Sequence, residues 1–136
     1  MPYIHRLDVR FRDCDPMGHV NNAVYLTYLE QARLSLWRER WRVDPRSPGE
    51  GIILARAEVD FKSPAVYGET LEVRVSVTAI GRSSFTYEYE MVDAGSGRLV
   101  VSARTVLVWY DYTAGRSVLI PEAIRAVLER ERRTMP

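Results

Sequence analysis

Asp13-Cys14-Asp15-Pro16-Met17-Gly18-His19-Val20-Asn21-Asn22 crowds two carboxylates, a thiol, an imidazole and two amides into one short stretch. Pro16 disfavours the α region for Asp15, and Gly18 can take backbone angles closed to other residues. The stretch therefore reads as a tight turn carrying a carboxylate. From about Val20 the apolar positions fall at helical spacing, so the turn leads straight into a helix start, whose unpaired N–H groups favour developing negative charge. A carboxylate that attacks a carbonyl or activates water, next to amides that hold an oxyanion, is what hydrolysis of an ester or thioester needs. The residues leave both roles open for Asp15.

Each of these residues also has a plainer reading. Aspartate and asparagine close turns and cap helices, so Asp15, Asn21 and Asn22 could serve the backbone alone. Asp13 sits at a strand end and reads as structural. Cys14 lies between two carboxylates, whose charge opposes a thiolate, so a cysteine hydrolase is not expected. His5, Asp13, Asp15 and His19 lack metal-ligand spacing, and no metal or organic cofactor is expected. Glu30 falls on the long helix about 12 Å beyond Asn22 at ~1.5 Å per residue. That is too far to serve the same helix end within its own chain, and it reads as a surface partner for Arg33.

The elements that must position this turn follow from periodicity. Ile4, Leu7, Val9 and Phe11 alternate with Arg6, Asp8, Arg10 and Arg12, a half-buried strand before the turn. After it, Tyr25, Tyr28, Leu29, Ala32 and Leu36 form one helical stripe, which Val24, Leu26, Leu34 and Trp37 widen. Arg38–Arg42 and Pro45–Gly51 read as the loop that ends the helix. Four strand patterns follow: Ala55–Lys62, Leu71–Thr78, Phe85–Met91 and Leu99–Tyr112. Pro64–Gly68, Gly81–Ser84 and Ala94–Gly97 connect them. Val106 to Trp109 is apolar on both faces, which suits an interior strand. Pro121 opens a last helix anchored by Ile124, Val127 and Leu128, and Arg130–Pro136 is expected to fray. Short connections imply antiparallel neighbours, so the expected fold is α+β, a curved antiparallel sheet of about five strands around one long central helix.

The 136 residues suit one domain, with 46% apolar and 27% charged side chains. A net charge of +1 gives no electrostatic footprint for nucleic acid or a membrane surface. Neither a membrane span nor a signal-peptide core is apparent, and the single cysteine forms no internal disulfide, so a cytoplasmic location is expected.

Asp13-x-Asp15-x-x-Gly18-His19-Val20-Asn21-Asn22-x-x-Tyr25 resembles the motif of hotdog-fold acyl-CoA thioesterases in the 4-hydroxybenzoyl-CoA thioesterase-like family, and the order and length of the remaining elements agree. The resemblance implies hydrolysis of an acyl-CoA with Asp15 as nucleophile or general base. It implies oxyanion and substrate contacts at Gly18, His19, Asn22 and Tyr25, and a CoA contact at Arg82, Ser83 and Ser84. It further implies a homodimer or homotetramer whose interface helps build the pocket. Family members nearer the aromatic-CoA prototype carry bulky apolar residues where this chain has His19 to Asn22, which weakens the case for an aromatic acyl group. Rival readings are an acyl carrier protein thioesterase, a hotdog protein that binds acyl-CoA without cleaving it, and a hotdog dehydratase, whose histidine signature is not evident. Asp13-Cys14-Asp15 also matches the Asp-x-Asp of dehalogenase-like phosphatases. That class needs an apolar strand before the motif and crossover helices, and Val9-Arg10-Phe11-Arg12 and the later strands supply neither.

Overall fold

The computed structural model describes residues 2–41 and 49–134. In chain order the elements are β1 (Tyr3–Asp8), a 3₁₀ turn (Phe11–Asp13), α1 (Asn22–Leu36) running into a π turn (Trp37–Trp41), β2 (Glu50–Phe61), β3 (Thr70–Ile80), β4 (Ser84–Asp93), β5 (Leu99–Asp111), a short β6 (Arg116–Ser117) and α2 (Glu122–Thr134). One antiparallel sheet orders the strands β1-β3-β4-β5-β2, with β6 added to β5. The chain leaves one edge of the sheet at β1, passes through α1, and returns at the opposite edge as β2.

The alternation in the three central strands sets the core. Leu71, Val73, Val75 and Val77 of β3, with Phe85, Tyr87, Tyr89 and Met91 of β4, point inward and are buried. β5 lies between β4 and β2 as its two-sided apolar centre implies. Tyr25, Tyr28, Leu29, Ala32 and Leu36 of α1 are all buried, and the last three of them expose no surface at all. α1 packs on β1 and β3, and α2 packs on β3 and the π turn. This is the curved sheet around a helix that the resemblance implies.

Several expectations are corrected. β1 keeps the expected phase at Leu7, which is half-buried, and at Val9 just past it, which is buried, but Ile4 is 43% exposed with Tyr3 buried in its place, and the strand ends at Asp8, leaving Phe11 in the 3₁₀ turn at 77% exposure. Phe11 makes an edge-on contact with Tyr67, and both rings stay exposed. Trp37–Trp41 does not unwind into loop but makes one π turn, because both tryptophans have buried partners: Trp37 Nε1 donates to the Tyr87 hydroxyl (2.9 Å) and Trp41 Nε1 to Glu131 Oε1 (3.1 Å). Arg42 and Pro45–Pro48 lie outside the described residues. β2 begins at Glu50, earlier than its alternation shows, with a register shift between Leu54 and Arg56. Arg130 to Thr134 stay helical, because Glu131 is drawn into the core beside Trp41.

Glu131 carries a pH signature. Burial is the largest influence on its carboxyl and pushes it up to about 7 from 4.5, against the Trp41 hydrogen bond and the charges of Arg40 and Arg130. A carboxyl raised in the folded state gives stability that is complete below its unfolded value and is lost as pH rises through the folded value. Glu131→Gln should therefore flatten the loss of stability between weakly acidic and neutral pH. Denaturant unfolding of both proteins across that window would show it.

Candidate active site

Asp13 is the anchor of the turn. It is 3% exposed, and its carboxylate accepts hydrogen bonds from the Arg10 backbone N–H (3.0 Å), the Arg10 guanidinium (3.0 Å) and the Tyr28 hydroxyl (2.6 Å). Burial pushes this carboxyl up, but the bonds from Arg10 and Tyr28 together outweigh it and hold it below its ordinary value. The same carboxylate, with burial acting first, pushes the Tyr28 phenol well above its ordinary value. Asp13 thus clamps the end of β1 to the second turn of α1, and all of its acceptor directions face protein.

Asp15 is placed differently. Residues 14–20 form a small hairpin: Cys14 pairs with Val20, the Asp15 N–H donates to the His19 carbonyl at 2.8 Å, and the Asn21 N–H donates to the Asp13 carbonyl at 2.9 Å. At its tip Gly18 adopts φ 91°, and its N–H closes the turn on the Asp15 carbonyl at 3.0 Å. A Cβ at Gly18 would meet no atom within 4 Å, so the requirement for glycine is conformational. Asp15 is half-buried, and its Oδ1 accepts from the Met17 N–H at 2.9 Å. That bond leaves the second carboxylate oxygen uncommitted among the described residues.

The hairpin ends where α1 begins. Asn21 is the N-cap, with its side-chain oxygen accepting from the Ala23 N–H at 2.9 Å. The Asn22 N–H donates to no protein acceptor among the described residues. Of the two amides expected at the oxyanion, Gly18's is engaged inside the turn and Asn22's stays available at the helix start. No acidic residue lies in the first turn of α1 to neutralise it.

A second segment, 63–69, braces this site and escaped sequence reasoning. The Val20 N–H donates to the Ala65 carbonyl (2.9 Å), and the Ala65 N–H in turn donates to the Tyr25 hydroxyl (3.1 Å). Tyr25 is buried, so its hydroxyl serves this brace. Arg98 grips the segment from β4–β5, donating to the Pro64 carbonyl (3.2 Å), the Ser63 hydroxyl (3.1 Å) and both Glu69 carboxylate oxygens (3.0 and 2.9 Å). Nothing local in the sequence marks a pair 29 residues apart. His19 is half-buried, and its backbone pairs with Val66.

The remaining candidates lie elsewhere. Arg82 is exposed and Ser83 and Ser84 are half-buried, in the β3–β4 turn held by α2 through Arg125, which donates to the Gly81 (2.7 Å) and Arg82 (3.1 Å) carbonyls. Segment 63–69 enters β3 and this turn leaves it, so the two are roughly 30 Å apart along the strand. Within one chain they do not meet. Glu30 is exposed, and its expected pairing with Arg33 is overturned: Arg33 is buried and donates instead to the Tyr89 hydroxyl at 3.4 Å. Among the described residues no cluster of three or more His, Cys, Asp or Glu could hold a metal ion. A hollow of about 310 Å³ on the convex face is lined by Arg56, Glu58, Glu88 and Arg104. These pair with one another and stand away from Asp15.

The family model of the thioesterase-like superfamily matches residues 9–128. The chain belongs to that superfamily. A solved thioesterase of Thermus thermophilus, complexed with coenzyme A and zinc, is 38% identical, with a TM-score of 0.84 over 98% of this chain and 96% of its own. The acyl-CoA thioesterase YbgC of Helicobacter pylori is 36% identical over 73 residues, 53% of this chain and 53% of that protein. Slr0204 of Synechocystis, a 1,4-dihydroxy-2-naphthoyl-CoA thioesterase, superposes with a TM-score of 0.87 over 94% of this chain and 96% of its own, at 23% identity. The architecture is the hotdog fold, and the chemistry of this thioesterase-superfamily member is thioester hydrolysis.

The Asp13 clamp makes a stability prediction. Its carboxyl is lowered on folding, so its contribution is present above the unfolded value of 3.8 and is lost as pH falls through the folded one. Tyr28→Phe removes one donor from a buried carboxylate and should cost about 1–3 kcal/mol at neutral pH. Asp13→Asn should cost stability at neutral pH and lose less on acidification than the wild type. Urea unfolding at neutral and acid pH checks both.

Proposed function

We propose that this protein hydrolyses acyl-CoA thioesters, with Asp15 as the reacting carboxylate, as nucleophile or as general base to water, and the Asn22 N–H at the start of α1 as the oxyanion donor. The observation that carries the reading is the contrast between the two aspartates on one hairpin. Asp13 is buried and fully hydrogen-bonded, whereas Asp15, on the hairpin that leads into α1, keeps one oxygen uncommitted among the described residues, as the Asn22 amide at the helix start also is. The positive end of the α1 dipole adds to that amide as charge develops on the carbonyl oxygen. The coenzyme A complex of the Thermus relative supports CoA as the leaving group.

The separation of Arg82 from Asp15 supports an assembled site. β2 is an edge strand, exposed along most of its length, with Leu54 at 45% and Phe61 at 52% exposure. A long uncovered edge with apolar side chains invites pairing. Its Glu50 end lies with Asp111 and so with the Arg82 turn, while its Phe61 end leads into the brace at Asp15. Antiparallel pairing of two β2 edges about a twofold axis would put the partner's Arg82 turn at the Asp15 end, so that a homodimer completes a site one chain leaves open.

Free-thiol release from a panel of acyl-CoA thioesters tests the reading. Asp15→Asn keeps the shape and removes the carboxylate, so kcat should fall by at least ~10² with substrate Kd changed severalfold at most. Asp15→Asn retaining activity while Glu30→Gln abolishes it would move the chemistry to the long helix. Light scattering should give a dimer or larger, and Arg82→Ala should raise KM with little change in kcat. A monomer at micromolar concentration would contradict the shared site.

A further inference from the structure

Arg33 is 6% exposed, yet it has no ion pair with a carboxylate among the described residues. The one hydrogen bond of its guanidinium there is the 3.4 Å contact from Nη1 to the Tyr89 hydroxyl. A guanidinium carries five donors and stays charged in a protein, and a buried charge without a counter-charge is among the most unfavourable features of an interior. The nearest carboxylate in sequence, Glu30, is one helical turn away and stays exposed.

The surroundings of the guanidinium are also polar. The Tyr89 hydroxyl lies 2.5 Å from Thr105 Oγ1, and Thr105 exposes no surface. Thr105 faces Ala57 of β2 in the sheet register, so Ala57 lies on the same concave side. Ala57 is exposed and Phe61 is 52% exposed. The cluster therefore stands beside a strip of the concave face that α1 does not cover, on the flank of α1 that also carries Leu26 and Glu30.

We propose that the acyl chain lies along this open concave strip, that Arg33, Tyr89 and Thr105 form an anion-reading subsite beside it, and that the preferred substrates are thioesters whose acyl chain ends in a carboxylate. This rests on the thioesterase reading above. A carboxylate supplies the counter-charge that Arg33 lacks among the described residues, and Tyr89 and Thr105 add a hydroxyl donor to it. Arg33 lies about 16 Å beyond Asn22 along the helix axis, and its side chain leans back toward the helix start. The distance suits a medium-length dicarboxylic monothioester rather than a short one such as malonyl-CoA.

The test compares suberyl-CoA with octanoyl-CoA, chains of equal length that differ in the terminal carboxylate, on the wild type and on Arg33→Met and Arg33→Lys. We expect wild-type kcat/KM to favour suberyl-CoA at least tenfold, Arg33→Met to abolish that preference while keeping octanoyl-CoA turnover, and Arg33→Lys to restore part of it. Equal or better use of octanoyl-CoA by the wild type overturns the subsite and leaves the thioesterase reading standing. Calorimetric binding of both thioesters to Asp15→Asn separates the two claims: a suberyl-CoA preference in binding without wild-type turnover keeps the subsite and sinks the hydrolase. Arg33→Met should also unfold no earlier than the wild type, since it replaces an uncompensated buried charge with an apolar chain. If that variant becomes monomeric, the cation serves a subunit interface and the proposal is wrong.

Discussion

The Asp13 carboxylate holds the site region together. Burying a carboxylate opposes folding by several kcal/mol, and a hydrogen bond to a charged group returns ~1.5–3 kcal/mol, so the four donors from Arg10 and Tyr28 are together enough to offset it. Three of the donors belong to Arg10, before the hairpin, and the fourth comes from within α1. The carboxylate can be satisfied only when the strand end and the helix are both in place. Its own carbonyl then takes the Asn21 N–H, which fixes where the helix starts and therefore which amide is left without a partner.

A second constraint is the asymmetry of the sheet. β1 and β2 are both edges, but β1 is covered by α1 whereas β2 is not. The concave side next to β2 is therefore the open part of the fold, and the exposed Leu54 and Phe61 lie along that edge. The brace at 63–69 continues directly from β2. Whatever covers the β2 edge acts on the segment that supports the Asp15 hairpin, and this links assembly to the proposed chemistry through one short stretch of backbone.

Much of this architecture was legible because the signals were local. The inward faces of β3 and β4, the stripe of α1 and the glycine at the hairpin tip follow from periodicities and backbone rules that act over a few residues. What was not legible depended on distant partners. Ile4 looks like a core residue of β1 until Tyr3 is seen packed under Arg40 and bonded to Ser35. Arg33 looked like a partner for Glu30 because helical spacing pairs them, and only the Tyr89–Thr105 hydroxyls across the core turn it inward. The Arg98 grip on Glu69 and the Tyr25 brace at Ala65 join residues far apart in the chain, so no window of sequence contained them.

The central claim is that a thioester carbonyl sits between the Asp15 side chain and the Asn22 N–H. A crystal structure of Asp15→Asn with an uncleaved acyl-CoA tests it directly. The account predicts the carbonyl oxygen within about 2.7–3.1 Å of the Asn22 nitrogen and the substituted side chain of position 15 about 3–3.5 Å from the carbonyl carbon. A thioester held instead against Glu30, with the helix start facing solvent, would contradict it.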